Sequence, residues 1–155
     1  MPTRRIHGGV GALSGGTVAA VRVSNAVVPQ FAAETIGGVI GGWIGGVLPD
    51  VLEPATSPNH RQFAHSMLAG GALTLARVAE GQARRRASAN AVANRALLLP
   101  VGSRERGDAE LAAMAWRLAA GILIGFVVGY ASHLALDACT SRGLPLIGRA
   151  GDDPA

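Results

Sequence analysis

Apolar positions gather in four long runs separated by proline, glycine and charge. The first covers residues 8–28, is interrupted by Arg22 and closes at Pro29. The second covers residues 31–48 and stops at Pro49; the third covers residues 62–79 and ends near Gly81. The fourth, residues 108–138, is the longest, and its stretch 118–132 carries no charged residue. None alternates apolar and polar positions with the period of two that a half-buried strand requires, so all four are predicted helices.

Residues 82–107 differ in kind, being rich in Arg and punctuated by Asn90, Asn94, Pro100 and Gly102. A short helix over 87–99 is predicted inside this basic connection; it would be about 20 Å long, too short to cross a bilayer. Residues 148–155 have turn composition and read as a flexible tail. The predicted fold is all-α: an up-and-down bundle of about four long helices plus a short helix in the basic connection, forming a single domain over 1–147. Arg4 and Arg5 followed by a weakly apolar stretch resemble a leader with a cleavage site near Ala26. Its richness in glycine predicts a retained first helix instead. In the second run, Gly37, Gly41 and Gly45 form one stripe and Gly38, Gly42 and Gly46 a second. Each suits close approach of another helix.

Composition narrows the class. Of 155 residues, 49% are hydrophobic and only 15% charged, against about 25% in soluble chains. That excludes intrinsic disorder. What is left is a small-residue-rich helical protein in or on a membrane, or a dense soluble bundle. The fourth run is long enough to span; the first and second are marginal, with Arg22 and Glu34 inside them. The membrane reading is the preferred one. All 14 basic residues are Arg, which removes a Walker-type phosphate loop and any Schiff-base lysine. Seven Arg against Glu80 and Glu105 give the stretch 77–106 a charge of +5, whereas the whole chain carries +4. This basic stretch fits a cytoplasmic loop under the positive-inside rule, a lipid headgroup contact or a nucleic-acid patch. It has no interleaved aromatics for base stacking, so nucleic acid is the poorest of the three. The one cysteine, Cys139, excludes an intramolecular disulfide.

The chemistry lies in four histidines. In an up-and-down bundle, His7 opens the first helix, Asp50 and Glu53 follow the second, His60 and His65 begin the third, and His133 and Asp137 lie near the end of the fourth. All then meet at one end, with the basic segment at the other. His133 and Asp137 are four apart and share a helix face. His60 and His65, five apart, would diverge on a continuous helix, so His60 is placed in the loop after Pro58. Asp50 sits between Pro49 and Pro54, on what reads as a stiff connection. Imidazole with carboxylate favours Zn, with Mn or Fe also compatible. Six candidate ligands (His7, Asp50, His60, His65, His133 and Asp137) exceed what one catalytic zinc needs and suit a two-metal site.

Three blocks carry a resemblance. They are Leu48-Pro49-Asp50-Val51, then His60-Arg61-Gln62-Phe63-Ala64-His65-Ser66, then Gly129-Tyr130-Ala131-Ser132-His133 running through Asp137 and Thr140 to Gly143-Leu144-Pro145-Leu146. Their order and spacing resemble the YdjM-type family of LexA-regulated, membrane-bound metal-dependent hydrolases, whose N-terminal histidine is matched by His7. Leu52 stands where the family carries a second Asp, with Glu53 next to it, and Ala64 stands where the family carries Thr. The resemblance implies an inner-membrane protein distantly like zinc-dependent phospholipase C, acting on a phosphoester or lipid substrate. In that reading Asp50 or Glu53 takes a proton from water and Arg61 pairs with a phosphate. Ser66 and Ser132 read as capping or orienting groups, and Trp116 and Tyr130 as packing. The other reading is a non-catalytic helical membrane or assembly protein whose metal is a structural staple. No oligomeric state follows from the pattern.

Overall fold

The computed structural model describes residues 4–52 and 71–139, with side chains from Arg77 onward in the second stretch. Over these residues it has four helices and no strand: α1 (Arg4–Arg22), α2 (Val28–Leu52), α3 (Gly71–Leu97) and α4 (Arg104–Ala138). The all-α expectation holds. α2 packs most extensively on α4, α1 packs on both, and α3 lies on α4. Successive helices run in opposite directions, so α2 and α4 are parallel neighbours.

The packing is inverted relative to a water-soluble bundle. Most buried apolar side chains are alanines, such as Ala19, Ala89 and Ala120, whereas Leu13, Ile36, Trp43 and Leu111 face outward. A soluble protein hides large apolar groups because water drives them inward; lipid exerts no such force, and small residues then mediate helix contact. α2 and α4 are long and apolar enough to cross a membrane.

The two glycine stripes of α2 serve two partners. A methyl at Gly37, Gly41 or Gly45 would strike the carbonyls of Leu118, Ile122 or Phe126 on α4. One at Gly38, Gly42 or Gly46 would strike the carbonyls of Gly15, Gly11 or His7 on α1. Backbone therefore lies directly on backbone along both seams, which fixes how far each helix can slide.

Two predicted boundaries are corrected. The second helix does not stop at Pro49 but continues through it to Leu52, with Pro49 buried. A proline inside a helix costs about 3 kcal/mol through the lost N–H and ring crowding. Wedged between α1 and α4, α2 retains its packing through that defect, so Asp50 is a residue of the last helical turn and not of a separate stiff connection. The third helix likewise does not end near Gly81, and the short basic helix is not separate. Both belong to α3, which runs unbroken to Leu97. A mid-helix glycine costs only about 1 kcal/mol; the Glu80–Arg84 ion pair spans it and Arg85 Nη1 donates to the Gly81 carbonyl. The connection to α4 shrinks to a turn at Gly102, whose φ is 81°. α4 begins at Arg104, where the Ser103 hydroxyl accepts from the Arg106 amide at 3.2 Å.

Candidate metal centre

At the end where α1 starts and α2 and α4 finish, the structure brings together His7, Asp50, His133 and Asp137. One ligand atom each from His7, Asp50 and His133 lie within 4.8 Å of one another. Asp137 reaches both imidazoles: Oδ1 is 3.6 Å from His7 Nε2 and Oδ2 is 3.6 Å from His133 Nε2. Asp50 Oδ1 stands 3.9 Å from His133 Nε2. His7, His133 and Asp137 are buried, and the side chain of Asp50 is 26% exposed. Asp50 therefore forms the outer edge of the cluster.

The backbone sets the orientation of His133. Its Nδ1 is 2.8 Å from the Gly46 carbonyl oxygen, and a carbonyl only accepts, so Nδ1 carries the hydrogen. In the neutral ring this leaves the Nε2 lone pair facing Asp50 and Asp137. Distances of 3.6 and 3.9 Å are too long for hydrogen bonds. Two donor atoms bound at about 2.1 Å to one tetrahedral cation stand roughly 3.4 Å apart. The 3.6 Å separations are close to that value, and Asp50 at 3.9 Å would need only a small side-chain movement to match it.

Two further observations test whether a cation suits these residues. With both imidazoles neutral, the two Asp give the four side chains a charge of −2, which one divalent ion balances. His7 turns its Nε2 towards Asp137, 3.6 Å away, so this nitrogen is the one that would face a shared ion. The His7 and His133 rings have centroids 4.0 Å apart at 31°, so two imidazolium charges would repel strongly there. The donor set fits a divalent metal.

Four of the sequence-derived residues lie in this cluster. His60, His65, Glu53, Arg61 and Ser66 lie outside the described residues, as do the tail 148–155 and the early part of the predicted third helix. The Ser132 hydroxyl bonds the Gly129 carbonyl of its own helix at 2.8 Å and not a histidine. Tyr130 stacks on Phe126 with ring centroids 6.5 Å apart. Arg4, absent from the candidates, donates from Nη2 to the Asp50 backbone carbonyl at 2.9 Å and ties the start of α1 to the end of α2.

Sequence reasoning also missed a second polar cluster at the opposite end. Glu34 of α2, fully buried, receives Arg117 Nη1 from α4 at 3.0 Å and Arg86 Nε from α3 at 2.7 Å. Arg117 Nη2 donates to Asn90 at 2.6 Å. The signal was present: an acid inside an apolar run, and an arginine at the head of an uncharged one, both demand partners.

Compared with known proteins, the chain matches the family described as YdjM inner membrane protein over residues 1–147. No curated protein and no solved structure matches it.

Proposed function

From the premise that the chain belongs to the YdjM inner membrane protein family, we propose that it is a membrane-bound, metal-dependent hydrolase acting on a phosphoester. The observation that carries this reading is the meeting of His7, Asp50 and His133 donor atoms within 4.8 Å, on three helices. His7, Asp50, His133 and Asp137 would hold the ion, and His60 and His65 are the candidates for completing a two-metal set. Zinc suits this donor chemistry best, with Mn or Fe compatible. A divalent ion bound there supplies Lewis acidity toward a phosphate oxygen and lowers the pKa of water.

The chain's own groups supply the rest. The Gly46 carbonyl holds the His133 ring in one tautomer, so that its Nε2 presents a lone pair. Asp137 spans both imidazoles from the buried side. Asp50, at the exposed edge of the cluster, would accept a proton from an incoming water, and Glu53 is the other candidate for that role. Arg61 is the candidate donor to the substrate phosphate.

A second reading is a structural staple, favoured by the near-complete burial of His7, His133 and Asp137. Activity separates the two. Metal-loaded protein in detergent or nanodiscs is assayed against a panel of phosphodiesters and phospholipids, beside His133→Ala. The hydrolase reading expects turnover in the wild type and its loss in the variant. Equal inertness, with the variant losing only melting temperature, leaves the staple.

A further inference from the structure

The cluster at the far end of the bundle is unbalanced. Among the described residues, one carboxylate, Glu34, faces two guanidiniums, Arg86 and Arg117. Glu34 is fully buried, and the side chains of Arg117 and Arg86 are only 10% and 22% exposed. A protein interior tolerates ion pairs but not a surplus cation, because desolvation of the unpaired charge costs several kcal/mol.

Donors are also in surplus. Among the described residues, Arg117 Nε and Gln82 Nε2 are buried without hydrogen-bond partners. Gln82 is 1% exposed and precedes Arg86 by one helical turn on the same face of α3. An extra positive charge with unused N–H donors calls for an anion rich in acceptor oxygens. A planar guanidinium matches phosphate geometry particularly well.

Sixteen residues separate Glu34 from Asp50 on α2 and Arg117 from His133 on α4, in each case about 24 Å of helix. Residues 118–132 between the two charged layers of α4 carry no charge. A hydrocarbon core is about 30 Å thick, so layers about 24 Å apart with long arginine side chains fit its two borders. Trp116, beside Arg117 and 42% exposed, is the residue type enriched at that depth. Arg86 and Arg117 then lie at the headgroup border of the leaflet opposite the metal centre, with Gln82 one helical turn further in. Arg117 Nη2 is bonded to Asn90, which is exposed on α3.

We propose that Arg117, Arg86 and Gln82 form a phosphate-binding site at this second membrane border, separate from the metal centre. The phosphate is that of a phospholipid headgroup or a free phosphate ion, and the two sources are distinguished as follows. Protein in nanodiscs of phosphatidylcholine containing a minor fraction of phosphatidylglycerol is released for native mass spectrometry. In parallel, melting is followed in detergent with and without inorganic phosphate. A headgroup site retains phosphatidylglycerol on the wild type, and Arg86→Gln or Gln82→Leu lowers retention about fivefold or more. Arg95→Gln, the same charge change on an exposed part of α3, leaves it unchanged. If the source is free phosphate, 10 mM phosphate (on the order used to saturate a weak site) raises the melting temperature of the wild type and not of Arg86→Gln. Metal content at the far end, equal in all variants, shows that each is folded. Equal loss of lipid in Arg86→Gln and Arg95→Gln would mean diffuse surface attraction and overturn the site. So would neither lipid retention nor phosphate stabilisation in the wild type.

Discussion

His133 and Gly46 are joined by a 2.8 Å hydrogen bond between an imidazole Nδ1 on α4 and a backbone carbonyl on α2. The same glycine also lies against α1: a methyl on it would strike the His7 carbonyl. One residue thus fixes a tautomer on one side and the approach of a second candidate ligand on the other. The glycine stripe and the site are a single construction, because the packing that brings backbones together also sets the distance between imidazoles.

Gly46→Ala should therefore act on metal binding through packing alone. Forcing α1 away moves His7 from His133 without removing any ligand. We expect a loss of about 1–3 kcal/mol in stability from overpacking and a fall in metal affinity of roughly 10–100-fold, as for lost supporting contacts. Gly9→Ala is the control, since nothing lies within 4 Å of its added methyl. It should leave metal binding intact and stabilise α1 by up to about 1 kcal/mol. Isothermal titration with Zn and thermal unfolding check both. Equal affinities in wild type and Gly46→Ala would show that the seam does not position His7.

Removing ligands should grade by how closely each carboxylate approaches the imidazoles. Asp137 stands 3.6 Å from both imidazoles, whereas Asp50 stands 3.9 Å from His133 and only within 4.8 Å of His7. Asp137→Asn should cost metal affinity more than Asp50→Asn, while Asp50→Asn should depress turnover more than it depresses metal content. Elemental analysis of purified variants beside a hydrolysis assay reads this split. Parallel losses in both variants would remove the distinction between holding and reacting carboxylates.

The helical character of the chain and the convergence of distant His and Asp were legible because both follow from order alone. Alternating helix directions send His7, Asp50, His133 and Asp137 to one end without any knowledge of contacts. Pro49 and Gly81 misled because local signals were read as stops where tertiary packing overrides them. The penalties of about 1–3 kcal/mol for Gly and Pro in a helix are outweighed when a helix is held along its length. The Glu34–Arg117 pair stayed invisible for a different reason. Its members are 83 positions apart, and only the register of α2 against α4 brings them face to face.

Chelation should report on folding as well as on catalysis. Metal that binds only the folded chain stabilises it by about 2.7 kcal/mol at a hundredfold excess over the dissociation constant. Stripping the protein should lower its melting temperature, and restoring Zn should recover it. His133→Ala should melt low and respond to neither treatment. Differential scanning in detergent measures this. A chelator-insensitive wild type that still contained no metal would argue that the four side chains hold no ion.

The far cluster makes the opposite demand on its acid. Glu34 is fully buried and contacts two guanidiniums, so Glu34→Gln leaves two cations facing each other in a region with little water. Breaking a buried pair from one side typically costs about 3–5 kcal/mol, whereas replacing both partners by apolar groups is often neutral. We expect Glu34→Gln and Glu34→Leu to be strongly destabilised and Glu34→Leu/Arg117→Met to recover the part of the loss that Arg117 causes, Arg86 being the more exposed of the two cations and able to turn to solvent. The coupling should be evident in a double-mutant cycle. Reversible unfolding in detergent provides the four stabilities. Strict additivity would mean that the pair, despite its 3.0 Å contact, is not what holds α2 in register with α4 at this end. The 16-residue spacing to the metal cluster would then reflect the glycine seam alone.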